Sequence, residues 1–131
     1  MRIQVKDFMS TPVITAEGER KIAQIRDLMK RKEIHAIPII EYLKQLPENK
    51  KSIRGIITST DLSDDIDGNT LVKDIMTEVV HVVHKNSSAQ AAAKMMIKHH
   101  VHHIVVMDEG EIVGMISSLD FVKLVAEHTL D

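Results

Sequence analysis

"GIITSTDL" (Gly55–Leu62) and "GMISSLDF" (Gly114–Phe121) spell one pattern twice: glycine, two apolar residues, Ser or Thr, two variable residues, aspartate and a final apolar residue. The two stretches are related by an offset of 59, from Gly55 to Gly114. Further toward the N-terminus the offset is larger. "VKDFM" (Val5–Met9) matches "VKDIM" (Val72–Met76) at 67, and the same shift carries Met29 onto Met96, Ile34 onto Val101, His35 onto His102 and Ile37 onto Ile104. The first copy therefore holds eight extra residues, within "EYLKQLPENKKS" at residues 41–52. A self-similar period of this length signals two copies of one supersecondary unit. The copies divide the 131 residues into 1–68 and 69–131.

Both copies read alike in local structure. "PVIT" and "EVVHVV" are short β-rich runs. Ile22, Ile25, Leu28 and Met29 follow at helical spacing, as do Ala89, Ala92, Ala93 and Met96. Ser87, with Gln90 three residues later, predicts a capping box at the start of the second of these helices. "AIPII" with "SIRGIIT", and "HIVVM" with "EIVGMIS", predict a strand pair in each copy. The second pair is joined by a turn at "DEGE", the first by the longer insertion. A closing helix is predicted over about Ser59–Ile66, stopped by Gly68, and over about Ser118–Glu127. The unit is β-α-β-β-α, twice, an α/β (α+β) architecture.

Composition narrows the function. Seventeen Lys and Arg against nineteen Asp and Glu leave no basic field for a nucleic-acid backbone. Phe8, Tyr42 and Phe121 are the only aromatic residues, too few for base-stacking platforms. There is no cysteine, so thiol nucleophiles and cysteine-based zinc sites are excluded. The N-terminal "MRIQVKDFMS" lacks the apolar run of a signal peptide, and no stretch of 18 apolar residues occurs. The expectation is a soluble cytoplasmic protein without membrane or nucleic-acid partners. No glycine-rich phosphate loop and no Ser-His-Asp set is in place, so an enzyme is not expected.

The repeated "VKDFM"/"VKDIM", "IHAIPII"/"VHHIVVM" and "GIITSTDL"/"GMISSLDF" closely resemble the CBS domain, the cystathionine β-synthase-type module found as tandem pairs, and they cover nearly the whole chain. The resemblance implies two repeats packed with pseudo-twofold symmetry, with clefts between them that take AMP, ADP, ATP or S-adenosylmethionine, and magnesium where ATP carries it in. It also implies a homodimer. On this resemblance Thr58 and Asp61 belong to one site, and Ser117 and Asp120 to the other. Adenine is expected against Ile34, Ala36, Ile37 and Pro38 in the first, and against Val101, His103 and Ile104 in the second. Physical chemistry agrees with these roles: a hydroxyl at a helix start suits an anion, and a carboxylate one turn in suits ribose hydroxyls. Lys123 lies one turn past Asp120 where the first copy has Asp64, so the second site is expected to favour phosphorylated ligands. The same Ser/Thr-x-x-Asp pattern is also a helix cap that needs no ligand.

Two other stretches compete for attention. "IKHHVHHIVV" (Ile97–Val106) holds His99, His100, His102 and His103 across a helix-to-strand junction, where adjacent strand residues face opposite ways. The four cannot converge on one ion; a site adding His81 or His84, or a pH-sensitive contact at His103, are the alternatives to plain structure. "SDDIDGNTLVKD" (Ser63–Asp74) imitates a calcium loop but has Ser63 first and Asp74 last, where the ligand set needs an acid and a Glu. The functional expectation is a stand-alone regulatory module that binds an adenosine-type ligand and signals to a partner protein. The alternatives are a structural homodimerisation module with empty clefts and a histidine-based metal or pH sensor.

Overall fold

Six short strands, three α-helices and three 3₁₀ turns account for the secondary structure of the computed structural model, which describes residues 2–44, 49–63 and 65–128. The elements are β1 (Ala16–Glu17), α1 (Ile22–Lys32), β2 (Ala36–Lys44), β3 (Asn49–Thr58), β4 (Val82–His84), α2 (Ala89–His99), β5 (His103–Asp108), β6 (Glu111–Ser117) and α3 (Ser118–Glu127). They form two three-stranded sheets, β1-β2-β3 and β4-β5-β6. In each, the first pair is parallel and the second antiparallel. The β-α-β-β order is that of the sequence reading, and the fold is mixed α+β.

The contacts in space divide the chain at other points than the sequence period does. One compact unit is Ile14–Val80; the other joins Met1–Val13 to His81–Asp131. Each opening segment thus packs with the other copy. Val5 N–H donates to Ser87 O (2.8 Å) and Lys6 N–H to Lys85 O (2.9 Å), while Val72 N–H donates to Arg20 O (2.9 Å) and Lys73 N–H to Gly18 O (3.0 Å). These bonds obey the same offset of 67, and both valines are completely buried.

The helical faces follow from their spacing. Ile22, Ile25 and Met29 of α1 pack with Ile37, Ile39 and Ile57 on one face of the first sheet. Ala92 and Met96 of α2 pack with Ile104, Val106 and Ile116 on the second. Burying a side chain of this size stabilises by ~1.5–3 kcal/mol. Both helices end on a left-handed residue, Glu33 and His100, each with φ of 53°. Lys30, Arg31 and Lys32 complement the C-terminal dipole of α1.

Four local expectations are corrected. The strand read at "PVIT" is displaced to Ala16–Glu17, and of "EVVHVV" only Val82 and Val83 are in β4, because the parallel pairs form only at Ala16↔Ile39, Glu17↔Ile40 and Val82↔Val105 through His84↔Met107. The N-cap of α2 is Ser88, not Ser87; its Oγ accepts from Ala91 N–H at 3.0 Å. The eight extra residues mostly lengthen the β2–β3 hairpin, with pairing continuing from Glu41↔Ser52 to Lys44↔Asn49. Finally, the first closing helix is only a 3₁₀ turn, Ser59–Asp61. The guanidinium of Arg26 takes the carbonyls of Ser63 and Ile66, which binds the following chain in a non-helical path. The second closing helix, Ser118–Glu127, forms as predicted. The "DEGE" turn holds Glu109 and Gly110 at positive φ (49° and 80°), the backbone twist a tight hairpin needs.

Candidate functional site

The hairpin register assembles the candidate residues. Ala36 lies directly across the ladder from Thr58, and His103 across from Ser117. The chain then turns in the same way in both copies: Ser59 N–H donates to His35 O (2.8 Å) and Ser118 N–H to His102 O (2.9 Å). Directly opposed residues share a face of the sheet, whereas neighbours in a strand do not. Ala36 and Pro38 therefore stand with Thr58, and His103 with Ser117.

That alternation corrects part of the expected adenine lining. Ile37 and Ile104 point to the helix side and are completely buried in their cores. They offer no surface to a ligand while the core stays packed. Ile34 and Val101 are half-buried against the same two cores.

The aspartates close the site. In the second copy Ser117 N–H donates to Asp120 Oδ2 (2.8 Å) and Asp120 N–H donates to Ser117 Oγ (3.2 Å), a complete reciprocal capping box on α3. In the first copy Thr58 N–H and Thr58 Oγ1–H both donate to Asp61 Oδ2, each at 2.9 Å. The cap reading is thus realised in both copies, and in both it uses the same carboxylate oxygen, Oδ2. Lys123 is exposed on α3. Asp64 lies outside the described residues, so the contrast between them rests on sequence.

The histidines disperse. His99 ends α2 and stacks on His81, with ring centroids 4.2 Å apart and planes at 22°. His100 is the left-handed cap. His102 Nδ1 is 3.2 Å from Ser118 Oγ, and His103 opens β5. Among the described residues no three of His, Asp or Glu are placed to hold a metal ion. His84 Nε2 and Lys85 Nζ instead meet the carboxylate of Asp108, at 3.3 and 2.9 Å. The hydrogen bond from Lys85 is the main reason the Asp108 carboxyl is held below its ordinary value.

A cavity of about 280 Å³ in the Ile14–Val80 unit includes Ile34, His35 and Ser59 in its lining, but neither Thr58 nor Asp61. Its Arg26 and Lys30 belong to no motif. They stand out only when the two copies are laid over each other, where the matching residues are Ala93 and Ile97.

Comparison with known proteins fits this geometry. The family model for the CBS domain matches residues 5–68 and 72–127. The CBS domain-containing protein YhcV of Bacillus subtilis is 26% identical over 118 residues, covering 86% of this chain and 79% of that protein. L-aspartate semialdehyde sulfurtransferase of Methanocaldococcus jannaschii is 43% identical over 60 residues, 45% of this chain but only 12% of the enzyme. Among solved structures, the CBS domain pair of protein MJ0100, in complex with 5′-methylthioadenosine and S-adenosyl-L-methionine, superposes with a TM-score of 0.83 at 26% identity, covering 97% of this chain and 98% of that one. No helix among the described residues is long and apolar enough to cross a membrane.

Proposed function

The chain belongs to the CBS-domain family, and we propose that it is a cytoplasmic regulatory module that binds an adenosine-type ligand and transmits its occupancy to a partner protein, without catalysing a reaction. The observation that carries this reading is the twofold recurrence of one constellation: a ladder pair (Ala36–Thr58, His103–Ser117) with an aspartate one turn beyond. The free oxygen chemistry of Asp61 and Asp120 suits the two hydroxyls of a ribose, since hydrogen bonds to a charged acceptor are the strong kind. Ala36 in one site and His103 in the other would meet the base; Pro38 shares the face of Ala36 but is itself completely buried. Lys123 gives the Ser117–Asp120 site the preference for a phosphorylated tail, AMP, ADP or ATP with its magnesium, over S-adenosylmethionine. The ligands seen in the MJ0100 domain pair are of this adenosine type.

A panel of AMP, ADP, ATP, S-adenosylmethionine and methylthioadenosine in a thermal-unfolding assay tests the reading. A ligand at ~100 times its Kd stabilises by about 2.7 kcal/mol, a melting shift on the order of 10 °C for a domain of this size. No shift with any of the five would overturn it.

One observation favours an accompanying homodimer. Leu119, Val122 and Val125 form an exposed apolar stripe on α3, at 56, 61 and 54% exposure, while Phe121 on the same helix packs edge-on to Phe8 (5.1 Å between ring centroids). Of the alanine run Ala91–Ala93, Ala92 is spent on the chain's own core. Assembly through the α3 stripe predicts that Val122→Glu yields a monomer by light scattering. A wild-type particle of 14.8 kDa at micromolar concentration would refute assembly outright.

A further inference from the structure

The cavity beside α1 has a chemistry of its own. Met29, Ile34 and Leu62 give it an apolar wall; among the described residues Arg26, Lys30, His35 and Ser59 supply the polar side chains, and no carboxylate lines it. Arg26 is anchored by Nη2 to the carbonyls of Ser63 and Ile66, yet its Nε is buried and finds no acceptor among the described residues. A buried donor left unpaired calls for an explanation, since such groups are rare and costly. Lys30, one helical turn on, makes no ion pair among the described residues.

The second copy shows that these cations are not needed to build the repeat. There the matching positions are Ala93 and Ile97, and α2 has the same length, eleven residues, and the same left-handed ending as α1. The rest of the lining is shared in kind: Met96, Val101, His102, Ser118 and Phe121 match Met29, Ile34, His35, Ser59 and Leu62. Only the positive charge is particular to the first copy.

We propose that this cavity binds a small organic anion, its carboxylate or phosphate held by Lys30, Arg26 Nε–H and the Ser59 hydroxyl, and its short apolar part laid against Met29, Ile34 and Leu62. About 280 Å³ lies just below the ~300–1,000 Å³ range of ligand pockets, which suits a fragment and not a whole nucleotide. The site is separate from the ribose carboxylate: neither Thr58 nor Asp61 lines it.

Nuclear magnetic resonance titration of the full chain with butyrate, propyl phosphate and butylamine tests this. Saturable shifts of the Arg26 Nε–H, Ser59 and His35 signals are expected with one or both anions and not with the amine; which anion acts tells carboxylate from phosphate. Lys30→Ile, the residue of the second copy, should weaken binding about tenfold or more, and Lys30→Gln, which keeps the length, should do the same. Lys32→Gln, which removes a cation of the same helix that does not line the cavity, should leave it unchanged. Absence of saturable shifts at concentrations on the order of 10 mM, equal shifts with butylamine, or binding retained in both Lys30 variants would overturn the proposal.

Discussion

The sulfur of Met9 lies 2.5 Å from the point where a β-carbon on Gly114 would stand, and the sulfur of Met76 lies 2.7 Å from the same point on Gly55. The last residue of each opening motif thus occupies the space left open by the first residue of the other copy's closing motif. Glycine is required there by close approach, not by a turn. The two positions differ in what else stands nearby. At Gly55 the backbone carbonyl of Thr77 is also 2.7 Å away, and Thr77 is fixed by a pair of bonds with Ile56 (2.9 and 3.0 Å). At Gly114 the three nearest atoms all belong to the Met9 side chain, which can change rotamer.

Alanine at the two glycines should therefore cost unequal amounts. Overpacking costs ~1–3 kcal/mol; Gly55→Ala should fall at the upper end and Gly114→Ala at the lower. Thermal unfolding followed by circular dichroism reads the difference. Equal losses would mean that the Thr77 carbonyl yields as easily as a methionine.

The aspartates should separate capping from binding. Removing the cap at Asp120 should cost about 1 kcal/mol of stability. Asp61→Ala should cost less, since it ends only a three-residue turn. If each carboxylate also holds a ribose, both variants lose ~1.5–3 kcal/mol of ligand affinity at their own site, roughly ten- to a hundredfold. Calorimetric titration that is unchanged in both variants would leave the cap as their whole role.

At the end of α1, Glu33 occupies the left-handed region with φ of 53°. Glycine reaches that conformation without the β-carbon penalty, at the cost of a more flexible unfolded chain. Glu33→Gly should stabilise the protein by about 0.5–1 kcal/mol. A lower melting temperature would show that the glutamate makes a contribution the backbone angle does not reveal.

Much of this fold was legible because the chain states it twice. The offsets that align Val5 with Val72 and Gly55 with Gly114 hold for hydrogen bonds as well as for residues, so the strand pairs and α3 were readable. What escaped was whatever depends on a distant partner. The packing of Val5 beside Val83 and of Val72 beside Ile22 crosses the period of the repeat, and periodicity cannot report it. Where the first closing helix was expected, the Ser63 carbonyl is instead bonded by Arg26, 37 residues earlier in the chain. The split of the adenine candidates depended on strand parity: Ile37 and Ile104 share a motif with Ala36 and His103 but not a face.

Acid should weaken the second unit through Asp108. Its carboxyl is held low first by the Lys85 hydrogen bond, then by the charges of Lys85 and His84, against an opposing desolvation. A folded value below the unfolded one means stability that is complete above the ordinary carboxylate value of 3.8 and lost as pH falls through the folded value. Asp108→Asn should therefore lower the melting temperature at pH 7 but converge with the wild type at the acid end. Parallel curves down to the lowest pH would show that the ion pairs contribute nothing.

A separate loss is expected at milder acidity from His99. Desolvation, then the neighbouring His81, Lys98 and His100 charges, hold its imidazole below 6.5. The stacked His81 ring stands 4.2 Å away, and two imidazolium ions so placed would repel. With the folded value depressed, the unfolded chain binds more protons in this window. The contribution is therefore complete above about 6.5 and declines as pH falls from there through the folded value. Because His99 is exposed, solvent screens the effect. His99→Gln should flatten the fall of melting temperature between about pH 7 and 5. A melting profile as steep in the variant as in the wild type would show that the stacked pair does not govern the mild-acid response.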